Sequence, residues 1–178
     1  MVFAGDFIIR YVTSKNAKIM FVGINPHHGS YRRGIPFSNN KMFWYLLNRS
    51  RIIDEDIEDL RNDKDLRRLY REKFLKVYNL NFTNIITRPS RDVSQLKRGE
   101  ENNGRRRILR LVSLNKPSVV CFIGKVTYSK FTGNDDFRFG WQEDIYNSKA
   151  YVMHFPIRGK ALVRIRELRE INRVATHG

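Results

Sequence analysis

The chain has 178 residues, 41% hydrophobic and 12% aromatic, enough for one substantial core. Its one cysteine, Cys121, excludes an intrachain disulfide, a thiolate zinc site and a four-cysteine iron–sulfur cluster. Thirty-four Lys and Arg against eighteen Asp and Glu give a formal charge of +16, more than solubility needs and characteristic of a protein with a polyanionic partner.

Nucleic acid leads among polyanions; ribosomal proteins and anionic membrane surfaces are the other sources of such charge. No apolar run approaches a membrane span, and there is no signal-peptide core or lipidation motif. The expectation is one domain over residues 1–178, cytoplasmic and nucleoid-associated, touching no membrane.

In chain order, short β-branched or aromatic runs bounded by turn residues predict strands over 19–24, 79–86, 118–123 and 150–154. Helical patterns fall over 42–51, 66–77, 104–114, 125–131 and 161–173. This alternation predicts an α/β fold with a short, mostly parallel four-stranded sheet flanked by helices on both faces. Cys121 lies inside the third strand and reads as a buried structural thiol. Phe43 and Trp44 read as core at helical spacing. No GxGxxG or GxxxxGK[ST] pattern supports a dinucleotide or P-loop site.

The first strand ends at Gly23-Ile24-Asn25-Pro26 and opens into a basic loop, and ligands of α/β sheets bind outside the carboxyl ends of the strands. Residues 7–53 contain no acid, so Arg32, Arg33 and Lys41 place this exit in a positive field suited to a phosphate backbone. Seven of the eighteen acids fall within 54–65, a polar arm expected to turn away from phosphates, with Ile57 and Leu60 inward. The basic clusters at 97–98, 105–110 and 158–173 read first as solvated helix faces. His27, His28 and His154 invite a metal, but adjacent histidines diverge and no carboxylate is near them in sequence, so no metal is expected.

Several landmarks occur together. They are Gly23-Ile24-Asn25-Pro26, Phe43-Trp44, Phe82-Thr83-Asn84 with Arg88-Pro89-Ser90, Asp92-Val93-Ser94, Phe122 to Lys125, Phe139-Gly140 with Gln142, and Tyr151-Val152-Met153. Their order and spacing resemble the mismatch-specific uracil/thymine-DNA glycosylases of the uracil-DNA glycosylase superfamily, over nearly the whole chain. The resemblance implies an enzyme without metal or cofactor, a monomer acting on DNA. It would flip a uracil or thymine opposite guanine, hydrolyse its N-glycosidic bond and leave an abasic site for base-excision repair.

On that resemblance Asn25 aims the attacking water, which a carboxamide orients without deprotonating. Ile24 contacts a base carbonyl through its backbone, Asn84 reads the Watson–Crick edge, and Ser90 belongs to the substrate-binding set. An aromatic at Phe37, with Tyr31 the alternative, stacks on the base. The last loop departs from the family pattern. His154 resembles a His of other branches that donates to the base oxygen; Ile157 or Arg158 is the wedge; and Arg158, Gly159 and Lys160 take the place of lost serines at a phosphate. The rival reading is a non-catalytic nucleic-acid-binding module, a degenerate glycosylase. Hypoxanthine, etheno-adducts and halogenated pyrimidines stay open as substrates.

Overall fold

The computed structural model describes residues 8–177. Strand β1 (Ile19–Gly23) leads to helices α1 (His28–Arg33), α2 (Met42–Arg49), α3 (Ile57–Arg61) and α4 (Asp63–Arg68), then a π-helical turn (Leu69–Lys73). Strand β2 (Leu80–Asn84), a 3-10 turn (Val93–Gln95), α5 (Glu101–Asn115), β3 (Val119–Ile123) and α6 (Lys125–Thr132) follow. The chain closes with the hairpin β4 (Gly140–Ile145) and β5 (Ser148–Met153), and then α7 (Ala161–His177).

The sheet has five strands in the order β2-β1-β3-β5-β4, all parallel except β4. Four strands are expected from sequence; the fifth escapes because β4 is half exposed and reads Gly-Trp-Gln-Glu-Asp-Ile, without an apolar run. The four legible strands are buried almost throughout because helices cover both faces; β2 nonetheless carries Asn81 and Thr83 on one of them. Ile19, Phe21, Phe82 and Cys121 face a core shared with Trp44, Phe74 and Leu168. Met20, Val22, Val120 and Phe122 face a second one with Ile108, Val112 and Phe131. No helix among the described residues is long and apolar enough to cross a membrane.

The helix expected over 66–77 is α4 continued by the π turn, with Leu66, Tyr70 and Phe74 fully buried. The acidic arm differs from expectation in two ways. Leu60 is buried but Ile57 is 40% exposed, since a single five-residue helix turns one contact position inward, and Leu60 takes it. Nor does the arm turn away from the basic loop: Asp63 pairs with Lys41 at 2.7 Å and with Arg33 at 3.5 Å. The hydrogen bond from Lys41 holds the Asp63 carboxyl below its usual range.

Helix α5 meets the exit of β2 so closely that a Cβ on Gly104 would lie 1.7 Å from the carbonyl oxygen of Ile85. Helix propensity favours alanine over glycine by about 1 kcal/mol, so the sign of Gly104→Ala tests this contact. The substitution is expected to destabilise the protein by about 1–3 kcal/mol, the usual cost of overpacking. Chemical denaturation reads it, and a raised midpoint contradicts the close approach.

Candidate active site

A cavity of about 390 Å³ opens at the carboxyl ends of β1, β2 and β3, within the size range of small-ligand pockets. Its wall includes Ile24, Asn25, His27, Phe37, Asn84 and Ser90, and the loop after β5 contributes Phe155, Pro156, Ile157 and Arg158.

Parallel pairing continues past the ends of β1 and β2: Ile85 N–H donates to Gly23 O at 2.9 Å, Ile86 N–H to Ile24 O at 2.8 Å, and Ser90 N–H to Pro26 O at 3.1 Å. This brings Ser90 beside Asn25. The Asn25 Nδ2 donates to Ser90 Oγ at 2.7 Å and to the carbonyl oxygens of Arg88 at 3.2 Å and Pro26 at 3.4 Å. Ser90 Oγ in turn donates to Asp92 O at 2.8 Å. The amide nitrogen is committed, and Asn25 Oδ1 meets no protein donor among the described residues. Asn25 therefore offers an oriented acceptor, which suits it to holding a water by one hydrogen. Ser90 Oγ thus fixes the orientation of the Asn25 amide.

Asn84 ends β2, is 2% exposed and still lines the cavity. Glycine at position 23 is a condition of that placement, because a Cβ there would sit 2.5 Å from Asn84 Oδ1 and 3.0 Å from Phe37 Cζ. Phe37 has a left-handed backbone, φ 53°, a conformation rare for a bulky residue. The surrounding loop enforces it. Ser30 Oγ accepts from Ser38 N–H at 3.1 Å and Asn39 N–H at 3.0 Å, and Trp44 Nε1 donates to Pro36 O at 2.7 Å. The Phe37 ring rests 4.6 Å from Phe43 and 5.4 Å from Phe82, centroid to centroid. Phe37 lines the cavity and Tyr31 does not.

His154 is not part of the cavity wall. Its Nδ1–H and main-chain N–H both donate to Glu167 Oε1 of α7, at 3.0 and 3.1 Å. Its ring stacks on Phe139 at 3.6 Å and 20°. The other oxygen of Glu167 accepts from Tyr151 at 3.3 Å, and burial together with this carboxylate pushes the Tyr151 phenol up. His27, by contrast, does line the cavity. Its Nδ1 accepts from Gly29 N–H at 3.0 Å, capping α1. Burial first, and then His28, Arg33 and Arg91, lower its pKa, and in the neutral ring an accepting Nδ1 puts the proton on Nε2. The imidazole at the cavity wall thus belongs to the residue after Pro26, while that of His154 stands outside it.

The basic residues divide. Arg32 is exposed, whereas Arg33 and Lys41 are held by Asp63, and Lys41 also donates to Arg61 O at 2.5 Å. Ile157 is 52% exposed beside the cavity. Gly159 and Lys160 stand outside the cavity wall, in the turn into α7, where Gly159 has φ 74° and its carbonyl accepts from Arg164 at 2.7 Å. Arg91, Asp92 and Val93 line the cavity too; Asp92 and Val93 belong to a landmark of the resemblance that carried no site role, and Arg91 was visible only as the residue after Ser90.

The segment carrying Ser90 is itself tied down: Arg88 grips Glu100 in a fork of 2.6 and 2.9 Å. The Arg88 hydrogen bond, then the Lys97 N–H, lowers the Glu100 pKa from 4.5 to about 2. A carboxylate with a depressed folded pKa contributes stability above its unfolded pKa and loses it as pH falls through the folded one. The stability gap between wild type and Glu100→Gln is therefore expected to be full above pH 4.5 and to close by about pH 2. It is small, since the pair faces solvent. Urea unfolding across that range checks it, and a pH-independent gap contradicts it.

Fold and site together define an α/β domain with a preformed cavity and two oriented carboxamides at the carboxyl edge of its sheet. The family model of the uracil DNA glycosylase superfamily matches residues 10–167, and the chain belongs to that superfamily. It is 28% identical over 157 residues to a protein of Schizosaccharomyces pombe named G/U mismatch-specific uracil DNA glycosylase. The match covers 83% of this chain and 46% of that protein, so the chain spans about half the length of that curated relative.

Proposed function

We propose that the protein is a monofunctional DNA glycosylase that takes uracil or thymine opposite guanine out of the duplex and hydrolyses its N-glycosidic bond. The carrying observation is the Asn25 amide, its nitrogen consumed by Ser90, Arg88 and Pro26 and its oxygen left without a donor among the described residues, at a cavity shared with Asn84 and Phe37. Asn25 Oδ1 accepts one hydrogen of a water whose oxygen attacks C1′. The C1′–N bond breaks with its electron pair departing on the base, the water loses a proton to solvent, and the base anion takes one up. An asparagine is no base, so the step leans on the leaving ability of the base and on charge stabilisation around it.

Phe37 supplies a ring for stacking, and Asn84 a donor and an acceptor that match the O4 and N3–H of uracil or thymine. Ile157 or Arg158 fills the stack left by the extruded base, while Arg32, Arg158 and Lys160 meet phosphates. A cavity of this size at the strand ends favours the enzyme over a non-catalytic binding module, for which a filled or flat surface would serve.

The test is a panel of labelled duplexes, each with one uracil, thymine, hypoxanthine, etheno-adduct or halogenated pyrimidine, scored for abasic sites. Cleavage at uracil or thymine opposite guanine, lost in Asn25→Ala, is the expected result. Binding without abasic sites on any duplex overturns the assignment.

A further inference from the structure

Asn84 is held from behind by two residues that do not line the cavity. Arg107, on α5, donates from Nη1 to Thr83 Oγ1 at 2.7 Å and from Nη2 to the carbonyl oxygen of Asn84, with Ile85 O at 3.5 Å. Its guanidinium lies 5.5 Å from the centre of the Tyr11 ring, and the Tyr11 hydroxyl accepts from Asn84 Nδ2 at 3.4 Å. Tyr11 is itself braced by Phe82, 6.0 Å away.

The charge of Arg107 is unanswered. No carboxylate pairs with it among the described residues; its partners are neutral oxygens and an aromatic face. Taking a cation out of water costs free energy that a counter-ion normally offsets. Its neighbour Arg106, on the same helix, is exposed to solvent at no such cost. The Arg107 side chain instead reaches the end of β2 and grips the residue that forms the cavity wall.

We propose that Arg107 and Tyr11 are positioning residues for the departing base, locking Asn84 against its Watson–Crick edge and setting uncompensated positive charge behind that edge. The inference rests on the glycosylase reading and deepens it, naming the ligand chemistry as a pyrimidine-2,4-dione leaving as an anion. One Nδ2 hydrogen of Asn84 goes to Tyr11, which leaves the second for the base O4 and leaves Oδ1 for the N3–H. When the C1′–N bond breaks, its electron pair spreads over the ring onto the carbonyl oxygens, O4 among them. A fixed cation one residue behind Asn84 favours that charge without moving during the reaction.

The experiment is single-turnover cleavage of duplexes carrying thymine, uracil or 5-fluorouracil opposite guanine, with wild type, Arg107→Met, Arg107→Lys and Tyr11→Phe. Affinity for a duplex with non-cleavable 2′-fluoro-2′-deoxyuridine, and thermal melts, are measured alongside. Arg107→Met is expected to slow thymine and uracil release by about tenfold or more, below the loss for a donor touching the oxyanion, and 5-fluorouracil release much less, because that base leaves with less help. Arg107→Lys restores part of the leaving-group dependence by restoring the charge. Tyr11→Phe, which keeps the ring and the fold, costs about fivefold, the scale of one hydrogen bond, with affinity for the non-cleavable duplex kept. Equal losses on all three bases, or none in Tyr11→Phe and Arg107→Met, overturn the inference while leaving the glycosylase reading intact. A wild type that cleaves none of the three overturns both.

Discussion

Replacing Asn25 by alanine is expected to lower single-turnover base release by at least about a hundredfold, the scale of a lost positioned catalytic group, with affinity for duplex DNA largely kept. Among the described residues the side chain hydrogen-bonds to Ser90 Oγ and to the carbonyls of Arg88 and Pro26, and none of the sheet's own hydrogen bonds depends on it. Asn25→Asp sharpens the test. A carboxylate is the stronger base, yet here it would set an acceptor oxygen against the carbonyl oxygens of Arg88 and Pro26, where Nδ2 now donates at 3.2 and 3.4 Å. The wall is built for an amide, and Asn25→Asp is expected to cleave no faster than wild type. Unchanged cleavage in Asn25→Ala removes the residue from the mechanism.

The contrast between Asn25 and His154 shows what the sequence makes legible. Asn25 stands where a buried strand ends, and strand ends in a parallel sheet are where sites form; its neighbourhood follows from the strand that precedes it. His154 also ends a strand, but its surroundings are decided by Glu167, thirteen residues on, and by the ring of Phe139. Neither periodicity nor spacing says which way a helical carboxylate or a hairpin aromatic will turn. The same limit hid Tyr11 and Arg107, which meet Asn84 from 73 and 23 residues away. Arg107 read as one basic residue of an exposed helix face, and its capture by the end of β2 is a tertiary event.

The fold divides along similar lines. Strands β1, β3 and β5 are legible because burial on both faces writes apolar runs into them, and β2 because Leu80 and Phe82 alternate with polar residues ahead of Ile85 and Ile86, whereas β4 is half exposed and carries neither signal. The acidic arm was legible as a charge pattern. Its direction was not, since Asp63 finds Lys41 and Arg33 only through the packing of α4 beside α1 and the loop before α2.

The second large effect is expected at Gly23. A methyl there would stand 2.5 Å from Asn84 Oδ1 and 3.0 Å from Phe37 Cζ, so Gly23→Ala moves the residue proposed to read the base and the ring proposed to stack on it in a single step. Asn84 cannot retreat freely, because Tyr11 holds its amide and Arg107 its carbonyl; Phe37 is wedged between Phe43 and Phe82. Displacement of substrate-positioning groups by as little as 1 Å costs about a hundredfold, and Gly23→Ala is expected to reduce cleavage by about that factor. The loss should appear in the rate of base release more than in duplex affinity, since the residues proposed to meet phosphates lie outside this contact. Denaturation of Gly23→Ala, measured beside its single-turnover kinetics, separates a general loss of stability from a specific loss of the cavity. A Gly23→Ala protein that cleaves like wild type would show that neither Asn84 nor Phe37 touches the base.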